Sequence, residues 1–114
     1  MQQSFIVFKA LADKNRIRIL KMLEKKSLCV CEITAIPGLA VSTTSKHLSI
    51  LKETRLILEQ KEGKWANYHI NNATQNKYAR DALALIKTWM NKDRIIQKDF
   101  HKINQVNRID LRKG

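Results

Sequence analysis

The chain has 114 residues, of which 22 are Lys or Arg and 10 are Asp or Glu, for a formal net charge of +12. This length allows one domain with a single modest core and excludes a catalytic domain joined to an accessory one. Such a basic balance is typical of proteins that bind polyanions, so nucleic acid or an anionic membrane surface is the expected partner.

The first half of the chain predicts four helices. Apolar residues at helical spacing indicate a first helix that ends at Asp13, which is also the expected N-cap of an amphipathic second helix that ends near Lys25. A short third helix from Cys29 to Ile36 is closed by a turn at Pro37-Gly38. A fourth helix, capped by Ser42, follows at once. This order of helix, tight turn and helix is typical of a helix-turn-helix.

The pattern then changes to strand-like alternation in residues 56–61 and 65–70, with a glycine turn at residues 62–64. After residue 72, apolar residues recur every three or four positions without Gly or Pro until Gly114, which predicts one long helix with Asn91 as the place where a break could fall. The predicted fold class is therefore mainly α with a two-stranded β-hairpin. Residues 1–72 would form a winged helix-turn-helix, and residues 73–114 a C-terminal dimerisation helix region in the same domain.

A helix of this length offers more apolar surface than a small domain can cover, which favours packing against a second copy. The alternative is a helix folded back on its own core. The aromatic and aliphatic residues expected at the dimer contact are Phe5, Phe8, Tyr78, Leu85, Trp89, Ile96 and Phe100.

The second helix of a helix-turn-helix enters the major groove, while a hairpin beside it contacts the neighbouring backbone. No acidic residue lies between Glu32 and Glu53, so nothing in this region would repel phosphate. The alternative is a solvated charged face that contacts no nucleic acid. The predicted DNA-binding residues are Ser42, Thr43, Thr44, Ser45, Lys46, His47, Ser49, Lys52, Lys61 and Lys64.

Cys29 and Cys31 are the two cysteines of the chain. Residues two apart on a regular helix point about 200° away from each other, so both thiolates can bind one ion only if the helix start unwinds. Thiolates select soft ions. The alternative is a buried apolar Cys beside a surface Cys. Zinc is not expected, because a closed zinc site needs four ligands and the Asp99-Phe100-His101 stretch has no second ligand pair.

The expected compartment is the cytoplasm. The N-terminus lacks the pattern of a secretory signal, and no stretch approaches the roughly 18 apolar residues of a membrane span, so a membrane partner is not expected. Two cysteines separated by one residue are a poor structural disulfide, which fits a reducing compartment.

Four motifs carry a resemblance to a known family. FKALADKNRIRILKML, SLCVCEI, TSKHLSILKETRLI and EGKWANYHI, in this order and spacing, resemble the arsenic-responsive branch of the ArsR/SmtB family of metalloregulatory repressors. The resemblance covers residues 5–72. It implies a homodimer that binds operator DNA and is released when As(III) or Sb(III) binds Cys29 and Cys31. It also implies a recognition helix from Ser42 to Lys52 and a wing from Lys61 to Trp65.

The chain departs from the family pattern at three places. At the head of the recognition helix, where many relatives have a Ser or another polar residue, this chain has Ala40-Val41. Some arsenic sensors carry a third cysteine three residues after the second, where this chain has Thr34. The carboxylate and histidine pattern of the zinc sensors is missing, and Asn72 and Thr74 stand where its first ligands would be.

Three alternatives to this function remain. A repressor of the same fold could use the two cysteines as a thiol redox sensor. An enzyme such as a small dithiol reductase is not expected, because no nucleophile, base and orienting group occur together. A protein-interaction module without DNA binding is the third alternative.

Overall fold

The computed structural model describes residues 1–106, and the predictions that fall on residues 107–114 lie outside them. Six helices and three strands follow one another along the described residues. They are α1 Gln2–Leu11, α2 Lys14–Lys25, β1 Leu28–Cys29, α3 Val30–Ala35, α4 Val41–Glu53, β2 Ile57–Glu62, β3 Trp65–Ile70, α5 Lys77–Lys87 and α6 Arg94–Ile103.

Polar side chains cap three of these helices. The Asp13 carboxylate accepts hydrogen bonds from the backbone N–H groups of Asn15 (2.8 Å) and Arg16 (3.1 Å), which confirms it as the N-cap of α2. Asn76 caps α5 and Asp93 caps α6 in the same way. Each cap satisfies N–H groups that have no partner inside the helix, so the start of these helices is set locally.

The start of α4 differs from the prediction. Ser42 lies inside the helix, and the N-cap is Ala40, which has no side chain that could accept a hydrogen bond. Instead, the Thr44 hydroxyl donates to the Ala40 carbonyl at 3.2 Å. The N-cap therefore lies two residues earlier than expected, where the preceding turn ends.

The sheet has three strands in the order β1-β3-β2, all antiparallel. The predicted hairpin of β2 and β3 is confirmed, with Glu62 opposite Trp65 at the turn and Gly63 at a φ of 58°. The third strand, β1, places Cys29 opposite Asn67 of β3. The sequence did not indicate β1, because two residues are too few to show an alternating pattern.

Helix α2 lies at the centre of the fold, in contact with α1, α4, α5, α6 and β3. Residues 19–23 of α2 are all buried. They include Lys21, which the amphipathic pattern of this helix places on its exposed face. The Lys21 ammonium group donates to the Ile86 carbonyl at 2.8 Å and pairs with Glu24 at 2.7 Å. These two bonds explain how a charged residue can occupy the core.

The predicted long C-terminal helix is interrupted. Helix α5 ends at Lys87, residues 88–93 form a turn with Met90 at a φ of 61°, and α6 then begins after its cap, Asp93. The second half folds back against α2, so Ile96 is buried and Phe100 packs against the core. Within residues 1–106, no helix is long and apolar enough to cross a membrane.

Candidate functional site

A tight turn joins α3 to α4. The Thr34 carbonyl accepts hydrogen bonds from the backbone N–H groups of Gly38 (3.2 Å) and Leu39 (3.0 Å). Gly38 has a φ of 76°, a conformation that a residue with a Cβ rarely adopts. This turn sets the angle at which α4 leaves α3, and so completes the predicted helix-turn-helix.

The outward face of α4 is polar and carries no acidic side chain before Glu53. The predicted contact residues that are exposed on it are Ser42, Thr43, Ser45, Lys46, Ser49 and Lys52. Val41, the first residue of α4, is also exposed and was not among the predicted residues.

Thr44 and His47 were predicted on this surface, but both are buried. The His47 Nδ1 atom lies 3.2 Å from Nη1 of Arg16. The same guanidinium group donates from Nε to the Ala10 carbonyl (2.7 Å) and from Nη2 to the Lys9 carbonyl (3.0 Å). His47 therefore fixes α4 against the corner between α1 and α2. The spacing of His47 from Leu48 and Leu51 is that of one inward helix face, so its burial could have been found in the sequence. Its arginine partner could not, because it is 31 residues away.

An ion pair links the hairpin to α4. The Lys52 ammonium group donates to the Glu59 carboxylate at 3.0 Å, and the Tyr68 hydroxyl donates to the same carboxylate at 3.0 Å. The bond from Lys52, helped by that from Tyr68, outweighs partial burial and lowers the pKa of Glu59. Lys61 and Lys64 remain exposed on the hairpin, as predicted for phosphate contacts.

The two cysteine thiols meet at the start of α3. Cys29 is extended and forms the N-cap, whereas Cys31 lies in the first turn of the helix. Their sulfurs are 2.8 Å apart and both thiols are free. The expectation that α3 must unwind to bring them together is wrong, because Cys29 precedes the helix and does not follow its 100° per residue rotation.

Cys29 is buried and fixed by a capping box with Glu32. The Glu32 carboxylate accepts from the Cys29 backbone N–H at 3.0 Å, and the Cys29 sulfur accepts from the Glu32 backbone N–H. Burial, together with the hydrogen bond to Cys31, raises the pKa of the Cys29 thiol to about 12. The thiol is therefore protonated at neutral pH until a ligand replaces its proton.

The thiols open into a cavity of about 480 Å³, here called the thiol cavity. Its walls come from three elements: α3, the first residue of α4, and the hairpin. The lining residues other than the cysteines and Val30 are Thr34, Ala35, Val41, Lys64, Trp65 and Ala66. Val41 begins α4 and Lys64 lies in the hairpin turn, so the cavity that holds the two thiols reaches both elements.

The remaining candidate metal ligands lie apart. Asp99 accepts two 2.8 Å hydrogen bonds from Arg18, and His101 is bonded to Gln105 at 3.1 Å. His69 lines a separate polar cavity. Within residues 1–106, no three His, Cys, Asp or Glu side chains come together in a way that could hold a metal ion.

The predicted dimer residues fall into two groups. Exposed apolar side chains on α1, on α5 and just after it include Phe5, Phe8, Tyr78, Leu85 and Trp89, here called the α1–α5 face. Ile96 and Phe100 belong instead to the packing of α6 on its own chain. The two helices that carry most of the α1–α5 face contact each other.

Comparison with known proteins identifies the family. The sequence profile described as "Bacterial regulatory protein, arsR family" matches residues 13–58. The arsenical resistance operon repressor of Escherichia coli is 38% identical over 66 residues, which are 57% of this chain and 56% of that protein. The arsenical resistance operon repressor of Bacillus subtilis is 35% identical over 80 residues, which are 69% of this chain and 76% of that protein. The chain belongs to the ArsR family.

Two solved structures share this fold. A homodimeric winged helix-turn-helix DNA-binding domain from Mycobacterium bovis, a possible ArsR-family regulator, is 31% identical with a TM-score of 0.64 and covers 75% of this chain and 76% of that chain. Reduced HlyU from Vibrio cholerae is 26% identical with a TM-score of 0.62 and covers 75% of this chain and 85% of that chain. The predicted winged-helix fold class is confirmed, with one strand more in the sheet than expected.

Proposed function

We propose that this ArsR-family chain is a transcriptional repressor that binds operator DNA as a homodimer and leaves it when As(III) or Sb(III) binds Cys29 and Cys31. The observation that carries the proposal is the shared wall of the thiol cavity. One cavity holds both sulfurs, the first residue of α4 and the hairpin residues Lys64 and Trp65.

The exposed face of α4 supports DNA binding. Ser and Thr hydroxyls can contact either bases or phosphates, and Lys46 is an exposed cation in their midst. Lys61 and Lys64 on the wing add charges for the neighbouring phosphates. The formal charge of +12 acts in the same direction over a longer range.

The buried neighbours of α4 support a positioning role within the same interface. His47 joins α4 to Arg16 of α2, and the pair of Lys52 with Glu59 joins α4 to the hairpin. A rigid arrangement of helix and wing keeps base contacts and phosphate contacts in one register. In this proposal, His47 and Glu59 act on DNA affinity without touching DNA.

The donor set supports a thiophilic inducer. Two sulfurs at 2.8 Å form a chelate for a soft ion, and the described residues add no third protein ligand. As(III) needs only three ligands, so two thiolates and one oxygen complete its coordination. The arsenical resistance repressors of Escherichia coli and Bacillus subtilis are relatives of this chain, which supports the same class of inducer.

In this proposal, the inducer releases DNA by acting on α4 and the hairpin. An ion on the two sulfurs enters the cavity that Val41 and Trp65 also line, and in this proposal it changes how α4 lies against the hairpin. A difference of about 1–3 kcal/mol between the bound and free arrangements changes operator affinity by about 5- to 150-fold. That change is sufficient for a genetic switch.

The proposed dimer uses the α1–α5 face. A row of exposed aromatic and aliphatic side chains on a small domain is typical of a protein contact. Phe8, at 68% exposed, is the most exposed aromatic side chain of this row. The homodimeric Mycobacterium bovis domain supports the same state for this chain.

A second candidate is a thiol redox sensor on the same fold. The 2.8 Å distance between the sulfurs favours it, since Cys29 lies outside the helix and a disulfide would not have to cross a helical turn. The two thiols would lose two protons and two electrons and form one S–S bond. A hydroperoxide would accept the electrons and be reduced to an alcohol and water.

The experiment follows fluorescence anisotropy of a labelled DNA fragment from upstream of the gene. Reduced protein is titrated onto the fragment, and arsenite or a hydroperoxide is then added. Cys29→Ser and Cys31→Ser test the site, and Lys98→Ala on α6 serves as a surface control. We expect arsenite to release the wild-type protein and the control but neither cysteine variant.

The outcomes separate the candidates. Release by hydroperoxide and not by arsenite would favour the redox sensor. Release of the Cys29→Ser variant by arsenite would place the sensor elsewhere. Binding no tighter than to random DNA of the same length would contradict operator recognition at this fragment.

A further inference from the structure

Thr34 lies one helical turn after Cys31 and lines the thiol cavity. Residues three apart on a helix share a face, so Thr34 and Cys31 lie on the same side of α3. We infer that Thr34 supplies the third contact of the inducer, a hydrogen bond to the one hydroxyl group that the metalloid keeps after it has bound two thiols. The inference rests on the proposed function and adds to it a residue that selects the ion.

The Thr34 hydroxyl is buried, and no residue in the range 1–106 offers it a hydrogen bond. Other threonines of the chain bond a carbonyl of the preceding turn: Thr44 that of Ala40 at 3.2 Å, and Thr54 that of Leu51 at 2.9 Å. Burying a hydroxyl without a partner is unfavourable. Threonine in a helix has two accessible rotamers, so a partner inside the cavity can draw the hydroxyl toward it.

The chemistry leaves one such partner on the metalloid. Arsenous acid, As(OH)₃, exchanges two hydroxyl groups for the sulfurs of Cys29 and Cys31. Two As–O bonds break and two As–S bonds form, while each thiol proton leaves with a displaced hydroxide as water. Arsenic stays in the +3 state. The third hydroxyl remains and, like that of Thr34, can both donate and accept a hydrogen bond.

The backbone of Thr34 connects this contact to the recognition helix. Its carbonyl accepts the N–H groups of Gly38 and Leu39, the two bonds that close the turn before α4. Thr34 therefore belongs both to the wall of the thiol cavity and to the turn before α4. A site with two sulfurs and one oxygen also favours a three-coordinate ion that keeps a hydroxide over ions that need four soft ligands.

The test compares two arsenic compounds by isothermal titration calorimetry on the reduced full chain. Arsenite keeps a hydroxyl after binding two thiols, whereas phenylarsine oxide keeps a phenyl group and cannot make the hydrogen bond. Thr34→Val removes the hydroxyl at nearly constant shape, and Thr34→Ser retains it. We expect Thr34→Val to weaken arsenite binding about tenfold, which is about 1.4 kcal/mol, with phenylarsine oxide binding unchanged. Thr34→Ser should bind both compounds like the wild type.

Equal arsenite affinity in Thr34→Val and the wild type would overturn the inference and leave the proposed function intact. An equal loss for both compounds would overturn it as well, because Thr34 would then act on the thiols and not on the hydroxyl. No arsenite binding by the wild type would remove the proposed function and the inference together. Thermal unfolding adds a second check: Thr34→Val should unfold at no lower temperature, and a lower midpoint would contradict an unpartnered hydroxyl.

Discussion

Removing either partner of the Arg18–Asp99 ion pair should destabilise the protein, and the two losses should be unequal. Arg18 on α2 donates two 2.8 Å hydrogen bonds to Asp99 on α6, and hydrogen bonding to Asp99 outweighs partial burial and raises the pKa of Arg18. The Asp99 side chain is 1% exposed, while that of Arg18 is 21% exposed. The pair therefore joins a carboxylate that cannot reach water to a guanidinium that can.

This difference in exposure sets the expected magnitudes. Arg18→Ala leaves a buried carboxylate without its counter-charge, which costs about 3–5 kcal/mol in the free energy of unfolding. Asp99→Ala leaves Arg18 free to turn toward solvent, so the loss is about 1–2 kcal/mol. Replacing both residues by apolar side chains, as in Arg18→Met with Asp99→Leu, should recover most of the larger loss, because no buried charge then remains.

Urea denaturation at neutral pH measures the free energy of unfolding of each variant. Protein concentration is held constant, because the stability of the proposed dimer depends on it. The result that refutes this reasoning is a loss for Asp99→Ala that equals or exceeds the loss for Arg18→Ala. A loss below about 1 kcal/mol for both variants would show that α6 does not depend on the pair.

Three other predictions concern DNA contact, assembly and pH. Lys46→Ala should lower the slope of log affinity against log salt by about 0.9 per protomer in an anisotropy titration, whereas Lys98→Ala on α6 should leave it unchanged. Phe8→Ser should shift the protein toward monomer in sedimentation velocity, and Val41→Ser, an equally apolar and 63% exposed position on α4, should not. Burial, with Glu59 beside it, raises the pKa of Tyr68 to about 12 from an ordinary value of 10.0. The folded state therefore holds the phenol proton more tightly, and this stabilisation is complete below pH 10 and is lost as the pH rises toward 12. Tyr68→Phe should flatten this part of the curve of stability against pH; an unchanged curve would contradict the assigned pKa.

Local patterns were sufficient to predict most of the elements. Asp13 caps α2 because its carboxylate reaches N–H groups two and three residues ahead, a contact within the range that sequence can show. The α3–α4 turn and the hairpin have the same local origin, in Gly38 and Gly63. Residue type and spacing also singled out the two cysteines, whose sulfurs are neighbours in the structure, and Lys46, Lys61 and Lys64, which are exposed.

Contacts between distant residues were decided by the tertiary structure. His47 and Lys21 have the composition of surface residues, yet partners 31 and 65 residues away hold them inside the domain. The convergence of the Cys29 and Cys31 sulfurs depended on β1, which forms only because β3 pairs with it. The unpartnered hydroxyl of Thr34 could not be seen in the sequence at all. Periodicity reports which face of an element is apolar, whereas pairing across the fold depends on how the elements are placed, and that placement is a property of the whole chain.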